Sequence, residues 1–406
     1  MTSLHDAAPL YSARAVESVR AGGRLVVFSE LFPPAVGGSA VLLHGIYSRI
    51  TDAEIVVLTD PSFAPGRGGH ESVEVVSHSM PTWRSGLKDW RGLKYHVRSA
   101  MHLRALTSGR TSIVHCARAI PEGIGALLAR LSGGPRYVCW AHGEDLASAL
   151  TSRELTLTTR AVLACADAAL ANSHNTAALL RVFGVPDSKI HIVYPAVDAN
   201  RFRPDVDGEA VRGRFANGDD ILLLSVGRLQ RRKGHDTAIR AVAALSETCP
   251  TLRYVIAGDG EERPRLEALA LKYGVSDRVV FAGVVPEEHL PAYYAACDIF
   301  LLPNRIDNGD IEGFGIVFLE AAASGKPVIG GDSGGVPEAV GDRTTGLLTE
   351  GGSVESVAAA IHDLASSPSR RHALGTAART RVQKLFSWQH AAARVSELQS
   401  QLIARA

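Results

Sequence analysis

The sequence predicts an α/β fold built from two parallel β-sheets. Short apolar runs of strand length alternate with segments of helical periodicity along most of the 406 residues, which is the pattern of repeated β/α units. The chain is 46% hydrophobic and long enough for two cores of ordinary domain size. Glycine-containing turns follow several of the apolar runs, at the strand ends where open parallel sheets bind ligands.

The elements can be assigned in chain order. Residues 1–22 are expected to be a loose leader, because the first strong strand pattern follows them. The strands predicted for the first sheet are 24–28, 54–58, 73–76, 112–115, 137–140, 168–172 and 190–194. A short segment with two prolines is expected to be the hinge between the two halves, at 194–204.

The second half repeats the pattern and ends in a helix. The strands predicted for the second sheet are 222–226, 254–257, 279–282, 299–302, 328–330 and 347–349. After them, residues 388–402 place apolar side chains at amphipathic helical spacing.

Charge and cysteine content exclude several classes of protein. A net charge of +1 does not suggest a nucleic-acid partner. Five scattered cysteines, an odd number without zinc-ligand spacing, are typical of reduced thiols in the cytoplasm. The amino terminus lacks a signal pattern, and no apolar run approaches the ~18 residues that span a bilayer. We therefore expect a cytoplasmic protein.

Two carboxylates flank a Gly-aromatic-Gly turn after the predicted strand 299–302. Glu312 and Glu320 lie eight positions apart around Gly313, Phe314 and Gly315. The glycines would let a phosphate approach the backbone closely as the chain passes from strand to helix. The simpler interpretation is a solvated loop carboxylate followed by an ordinary helical one.

The helix that follows this turn would begin with free backbone donors. The N–H groups near Ile316 and Val317 would point at a bound phosphate. Glu320, on the helix, could accept hydrogen bonds from a vicinal diol such as a ribose. Glu312, in the loop, could hold sugar hydroxyls or balance developing positive charge.

Cations follow another predicted strand, 222–226. Arg228 and Lys233 are five residues apart, and together they could neutralise a diphosphate leaving group without a metal ion. The neighbouring Arg231 and Arg232 fit a solvated basic turn.

These motifs resemble those of a known enzyme family, the retaining glycosyltransferases of family 4. The resemblance covers nearly the whole chain. It rests on Gly-Arg-Leu…Lys-Gly at 227–234, Glu-x7-Glu at 312–320, Ser-Gly-Gly-Val-Pro-Glu at 333–338 and Pro-Pro…Gly-Gly at 33–38. It implies the GT-B architecture, in which two Rossmann-like domains face a central cleft. An acceptor domain would comprise 1–197 with the helix 388–406 packed back onto it, and a donor domain 198–387.

The resemblance also implies an activity and further site residues. The enzyme would move a sugar from a nucleoside diphosphate sugar, GDP-mannose or a UDP-hexose, to an acceptor hydroxyl with retention of configuration. Arg228, Lys233, Glu312 and His142 would be catalytic, with His142 facing the donor sugar. Gly37 and Gly38 would present backbone N–H groups to the diphosphate. Without the resemblance, the two glycines are only a tight turn and His142 a structural histidine.

No cofactor and no metal are expected besides the sugar nucleotide. Asp307, Asp310 and Glu312 could suggest a divalent metal, but the neighbouring cations already supply positive charge. A nicotinamide dehydrogenase would require Gly-x-Gly-x-x-Gly after its first strand, and 33–39 does not match this pattern. A non-transferring relative, such as a sugar-nucleotide epimerase or a binding protein, stays open as the alternative.

One segment departs from the neutral charge of the chain. Residues 81–110 contain seven Lys or Arg residues and one acid, a net charge of +6, with Trp83 and Trp90 among them. Family 4 includes mannosyltransferases that act on phosphatidylinositol lipids, so the segment could contact an anionic membrane and a lipid-linked acceptor. A solvated helix with inward-facing tryptophans, together with a soluble glycan or small-molecule acceptor, fits equally well.

Overall fold

In a computed structural model, residues 23–30, 32, 38–63, 73–80 and 90–405 are described. The expected leader 1–22, Gly37 and the stretch 81–89 lie outside these residues. Within the described part, the strands form two sheets, and every strand pairing within them is parallel. The predicted α/β class is confirmed.

The first sheet has the strand order β3-β2-β1-β4-β5-β6-β7. Its strands are β1 Arg24–Phe28, β2 Glu54–Thr59, β3 Glu74–Ser77, β4 Ser112–Cys116, β5 Arg136–Ala141, β6 Ala168–Ala171 and β7 Ile190–Ile192. The helices that accompany it are α1 Gly38–Tyr47, α2 Trp90–Thr107, α3 Glu122–Leu131, α4 Glu144–Leu150, α5 Arg153–Cys165 and α6 His174–Val182.

The second sheet has the order β10-β9-β8-β11-β12-β13. Its strands are β8 Ile221–Val226, β9 Leu252–Ala257, β10 Val279–Gly283, β11 Ile299–Leu302, β12 Val328–Gly331 and β13 Gly346–Thr349. The remaining helices are α7 Glu209–Phe215, α8 His235–Ala244, α9 Arg263–Lys272, α10 Leu290–Ala296, α11 Ile316–Ala323, α12 Val336–Val340, α13 Val354–Ala365, α14 Pro368–Leu385 and α15 Trp388–Ala404.

The strands form where apolar runs can be covered on both faces. The β1 side chains from Leu25 to Phe28 are fully buried, and hydrophobic clusters occupy both faces of each sheet, as helix-covered parallel sheets require. Serine side chains begin several helices by accepting a backbone N–H bond, among them Ser173 at α6 and Ser387 at α15. All predicted strands are present, with ends that differ by at most two residues.

The last helix, α15, packs on the first sheet. Trp388 is buried against α1, where a Cβ atom at Gly45 would collide with its ring. At the other end of the helix, Arg136 of β5 donates to the carbonyl oxygen of Leu402 at 2.7 Å. The chain thus passes between the sheets twice, after β7 and between α14 and α15. The predicted limits of the two domains stay a prediction.

Candidate active site

The two charged motifs meet at one edge of the second sheet. β8 and β11 are neighbours, and strand order reverses between them, so the loops that follow diverge and leave a crevice at their carboxyl ends. The loop after β8 carries the 227–234 motif, and the loop after β11 leads to the 312–320 motif. The topology therefore brings together residues 80 positions apart in the chain.

Glu312 is the centre of the resulting cluster. Its Oε2 accepts hydrogen bonds from Lys233 Nζ at 2.5 Å, Arg232 Nη1 at 2.7 Å and Asn304 Nδ2 at 3.0 Å. Burial raises the pKa of this carboxyl, but the charges of Lys233 and Arg232 outweigh that effect and hold the pKa below its ordinary value. Glu312 is therefore an ionised, largely buried carboxylate with two cationic partners.

Arg232 is buried, and its assignment to a solvated turn was wrong. Its side chain is 5% exposed, and it contacts Glu312, Asp310 Oδ2 at 3.1 Å and Glu144 Oε2 at 3.3 Å. Arg231 does project outward, with its side chain 58% exposed. The tight 3₁₀ turn over Arg231–Lys233 sends consecutive side chains in different directions, which composition alone could not reveal.

The two cations proposed for the diphosphate differ in their present environment. Lys233 is buried and bound to Glu312. Arg228 is exposed at the crevice, and the described residues offer its side chain no hydrogen-bond partner. The ammonium group lies 3.9 Å from the position of a Cβ atom on Gly227, next to Arg228, so both cations border the same loop. The structure thus places Lys233 Nζ near the backbone at Gly227, in the loop that also carries Arg228.

The Gly-aromatic-Gly turn begins α11. Gly315 caps the helix with φ of 92°, a left-handed conformation that favours glycine, and Ile316 and Val317 follow as its first residues. The Phe314 ring is buried and lies 5.7 Å from Tyr194 and 5.8 Å from Phe386, centroid to centroid. The Phe314 ring is therefore part of the core that holds this turn in place.

Glu320 lies further along α11, away from the cations. Its Oε2 accepts a hydrogen bond from the Tyr294 hydroxyl at 2.6 Å. Burial raises its pKa, and the Tyr294 bond offsets only part of that effect. The two carboxylates therefore have opposite environments: Glu312 is stabilised as an anion, whereas Glu320 is partly destabilised as one.

The 333–338 motif supports the loop from behind. Gly335 N–H donates to the Glu312 carbonyl oxygen at 2.9 Å. A Cβ atom at Gly334 would collide with that carbonyl, and one at Gly335 with the carbonyl of Gly313. These two glycines are needed because the active-site loop lies directly on their backbone.

Residues of the first sheet form the opposite wall. The Gly313 backbone packs against the carbonyl of His142, where a Cβ atom would collide. The His142 ring is buried, and its Nε2 is hydrogen-bonded to the Ala117 carbonyl at 2.9 Å. Gly38, at the start of α1, faces Ile316 across the cleft, 3.7 Å from a would-be Cβ atom to Cδ1. Gly37 lies outside the described residues.

Several further residues of the site have no predicted role from the sequence. Besides Arg232, these include Asn304, which is buried two residues after β11, and Glu144, which meets Arg232 from the start of α4. Glu338 forms a second link between the two halves: it accepts from the backbone N–H groups of His174 at 2.8 Å and Asn175 at 3.1 Å. The position of Asn304 near the end of a predicted strand could have marked it as a site residue. No feature of the sequence indicated the contacts between the two sheets.

Two family models match the chain. "Glycosyltransferase Family 4" matches residues 36–201, and "Glycosyl transferases group 1" matches residues 209–381. A GDP-mannose-dependent alpha-(1-6)-phosphatidylinositol monomannoside mannosyltransferase from Mycobacterium tuberculosis is 35% identical over 92% of this chain and 97% of the relative. The chain belongs to glycosyltransferase family 4. This family 4 protein is a retaining glycosyltransferase that uses a nucleoside diphosphate sugar, as the resemblance implied.

Other similar proteins agree with this membership. A D-inositol 3-phosphate glycosyltransferase from Streptomyces avermitilis is 33% identical over 58% of this chain and 52% of the relative. Among solved structures, sucrose-phosphate synthase from Thermosynechococcus elongatus has a TM-score of 0.80 at 23% identity, over 94% of this chain and 100% of that one. The GT-B architecture of the family 4 protein is thereby confirmed.

The described residues lack a membrane-spanning helix and a cluster of metal-binding side chains. None of their helices is both long and apolar enough to cross a membrane. Nor does this part of the family 4 protein contain a group of three His, Cys, Asp or Glu side chains arranged to hold a metal ion.

Proposed function

We propose that this glycosyltransferase moves a mannosyl group from GDP-mannose to a hydroxyl group of an inositol-containing acceptor. GDP-mannose is the donor named for the mycobacterial relative, which matches nearly the full chain, and the acceptor named there, phosphatidylinositol monomannoside, contains inositol. The observation that carries the proposal is the ion pair at the crevice, where Lys233 of the 227–234 loop meets Glu312, three residues before the Gly315 cap of α11. A UDP-hexose is the competing donor.

The cations and the helix end would stabilise the leaving diphosphate. In the reaction, the bond between the anomeric carbon and the phosphate oxygen breaks as the acceptor oxygen bonds to the same face of that carbon. The acceptor proton passes to the departing phosphate oxygen. Arg228, Lys233 and the N–H groups of Ile316 and Val317 would interact with the charge that develops on this oxygen and its neighbours.

Before the donor binds, Glu312 would hold the ammonium group of Lys233 in position. In the structure, Lys233 Nζ donates to Glu312. When the ammonium group turns to the diphosphate, Arg232 can remain as the cationic partner of Glu312. Glu312 would then hold sugar hydroxyls, and Glu320 the ribose diol. The Tyr294 hydroxyl already donates a hydrogen bond to Glu320. A diol bound there would donate further hydrogen bonds to the same carboxylate.

The reaction is proposed to need no metal ion. Asp310 and Glu312, two of the three carboxylates that could suggest a metal site, are both ion-paired to Arg232. Binding Mg²⁺ would require breaking these pairs, whereas Arg228 and Lys233 can supply the same positive charge directly. His142 is proposed to contact the donor sugar through its turn, because the adjoining Gly143 lies against Gly313.

Donor binding and transfer can be tested separately. Thermal shift with GDP, UDP, GDP-mannose and UDP-glucose should show the largest rise in Tm for the guanine nucleotides, since a ligand that binds the native state stabilises it. Mannose transfer from GDP-mannose to phosphatidylinositol monomannoside and to phosphatidylinositol would then be followed by product analysis. Stabilisation by uridine nucleotides alone would refute the choice of donor. Nucleotide stabilisation without sugar transfer to any acceptor would favour the non-transferring alternative.

Contact with an anionic membrane is also proposed, through helix α2. The apolar side chains at successive turns of α2 are exposed: Trp90 76%, Leu93 37%, Val97 43% and Met101 60%. The alternative in which Trp90 packs inward is therefore wrong. Basic residues, including Lys94 and Arg98, lie beside this apolar stripe, a combination suited to an anionic bilayer surface.

Vesicle co-sedimentation tests this surface. Binding to anionic vesicles should exceed binding to neutral ones at low salt and decline at high salt, because the cationic contribution is screened. The substitution Trp90→Ser with Met101→Ser should weaken binding at both salt concentrations. Equal binding to anionic and neutral vesicles at low salt would refute the membrane proposal and leave a peripheral location without support.

A further inference from the structure

The two halves of the molecule are bridged by one carboxylate, that of Glu338. This residue lies in the first turn of α12, beside the second sheet. Its Oε2 accepts a hydrogen bond from the backbone N–H of His174 at 2.8 Å, and its Oε1 accepts one from Asn175 at 3.1 Å. These two residues begin α6, beside the first sheet. Both oxygens of the carboxylate are thus bound to the other half of the molecule.

The start of α6 depends on this carboxylate for its hydrogen bonds. The first N–H groups of a helix have no acceptor within the helix. The Ser173 side chain accepts from the third of them, Thr176, at 3.0 Å. Among the described residues, only Glu338 accepts from the N–H groups of His174 and Asn175. Its negative charge also lies at the positive end of the helix dipole, so separation of the halves would remove a favourable contact.

The predicted hinge contributes a third hydrogen bond to the same carboxylate. Tyr194, at the start of the segment 194–204, donates from its hydroxyl to Glu338 Oε2 at 3.0 Å. Burial and then the charge of Glu338 raise the pKa of Tyr194 to about 12, so the hydroxyl remains a donor at neutral pH. The Tyr194 ring lies 5.6 Å from that of Phe386, centroid to centroid, at the second crossing of the chain. Tyr194 therefore contacts both chain crossings and the bridging carboxylate.

Within the second half, the backbone of Glu338 is held by Arg381 of α14. Arg381 donates from Nη2 to the Glu338 carbonyl at 2.5 Å and from Nη1 to the Ala339 carbonyl at 2.9 Å. No Lys or Arg of the described residues forms an ion pair with the carboxylate of Glu338. The charge of this carboxylate is therefore stabilised by the amides of α6 and the Tyr194 hydroxyl, not by a cation of its own half.

The catalytic turn contacts the first sheet at the same place. The Gly313 backbone packs against the His142 carbonyl, which also accepts from Asn172 Nδ2 at 3.1 Å. Asn172 directly follows β6 and lies two residues before α6. The ring of Phe314, next to Gly313, lies 5.7 Å from the Tyr194 ring, centroid to centroid. Contact of α12 with α6 and contact of the turn 312–315 with the first sheet therefore depend on one arrangement of the two halves.

We propose that Glu338 and Tyr194 form a latch that keeps the cleft closed and so positions the turn 312–315 for the donor. The latch comprises the Glu338 carboxylate, the Tyr194 hydroxyl and the N–H groups of His174 and Asn175. Glu338 and Tyr194 act through the turn, so they are positioning residues. Without the latch, the closed fraction of the protein would fall, and the apparent affinity for the donor would fall with it.

Small-angle X-ray scattering of the full chain, without added nucleotide, measures closure directly. Glu338→Ala should increase the radius of gyration. Tyr194→Phe, which removes one hydroxyl group and keeps the ring, should cause a smaller increase. Glu355→Ala is the matched control, because it removes a carboxylate from the first turn of α13 that accepts from Ser353 of its own half at 3.0 Å. A radius of gyration equal to that of the wild type in both latch variants would overturn the proposal.

Kinetics separate a closure latch from a structural defect. In Glu338→Ala the KM for GDP-mannose should rise about tenfold while kcat stays within about twofold, because saturating donor restores the closed arrangement. Tyr194→Phe should raise the same KM by a smaller factor. A fall in kcat at unchanged donor KM would contradict the latch, since it would place Glu338 in the chemical step. An equal rise in KM in Glu355→Ala would contradict it as well.

The kinetic test rests on the proposed function, whereas the scattering test does not. A larger radius of gyration in both latch variants, without mannosyl transfer to any acceptor, would retain the latch and refute the proposed function. Mannosyl transfer with unchanged scattering and unchanged donor KM in both variants would retain the function and refute the latch.

Discussion

Arg232 Nη1 donates to Glu312 Oε2 at 2.7 Å, and the same guanidinium reaches Glu144 on the opposite side of the cleft. The Arg232 side chain thus links the carboxylate of the donor site to the first sheet. Lys233 shares Glu312 with it. Arg232 keeps that carboxylate charged and holds the two walls of the cleft together, so it is a positioning residue for the proposed reaction.

The first prediction concerns Arg232→Gln. Removing one partner of a buried ion pair leaves the other charge uncompensated, so we expect the free energy of unfolding to fall by about 3 to 5 kcal/mol. Chemical denaturation measures this change. Arg231→Gln is the control on the same turn, and its exposed side chain predicts a loss below about 1 kcal/mol. Similar losses in the two variants would contradict the different burial of these arginines.

The second prediction concerns the cations at the diphosphate. Arg228→Ala and Lys233→Ala should each lower kcat about 100-fold or more while changing the donor KM little, because the charge that they stabilise develops in the transition state. Steady-state kinetics with varied donor provide the measurement. Near-normal kcat in both variants would exclude the assigned roles.

Metal removal gives the third prediction. Dialysis against EDTA should leave the transfer rate unchanged, because Arg228 and Lys233 supply the positive charge and Arg232 occupies the neighbouring carboxylates. Activity is compared before and after treatment and after addition of Mg²⁺. A loss that Mg²⁺ restores would instead identify Asp310 and Glu312 as metal ligands.

The fourth prediction separates the two carboxylates. Glu320→Gln should weaken binding of free GDP about tenfold, because a ribose contact does not depend on the sugar. Glu312→Gln should leave GDP affinity nearly unchanged and lower kcat. Calorimetry with GDP, together with initial rates, measures both effects. The melting temperature of Glu312→Gln must be recorded as well, since the substitution leaves Arg232 and Lys233 without their shared partner.

The fifth prediction concerns acid sensitivity. Burial lowers the pKa of His115 to about 4 and, with the charge of Lys233, that of His235 to about 3. The unfolded chain therefore binds more protons below pH 6.5, and stability must fall as pH falls. Between pH 7.5 and 5.5 each histidine should reduce the free energy of unfolding by about 1 to 1.5 kcal/mol.

Denaturation curves at several pH values test this expectation. His115→Gln should reduce the dependence on pH by the contribution of one histidine, whatever its effect on stability at pH 7.5. The His115 ring is fully buried between Tyr47 and Gln399, which explains why protonation is unfavourable there. If the free energy of unfolding of His115→Gln depended on pH as it does in the wild type, His115 would not contribute to the acid sensitivity.

The sequence by itself determined the fold class and the strands. β-branched and leucine-rich runs such as 24–28 and 299–302 form strands in any parallel sheet that covers both faces, so local pattern and burial agree. The glycine-flanked motifs could also be recognised, because a phosphate-binding turn requires particular residues at fixed spacing. The ion pair between Lys233 and Glu312 brings two of these motifs together at one crevice, while their roles stay a prediction.

Only the tertiary structure decided which side chains meet across the cleft. Arg231 and Arg232 are adjacent and carry the same side chain, but the backbone turn that contains them exposes Arg231 and buries Arg232. The contacts of Glu144 with Arg232 and of Glu338 with the start of α6 join residues that are 88 and 164 positions apart. Such pairs depend on how two separately folded sheets dock, and local periodicity carries no information about that geometry.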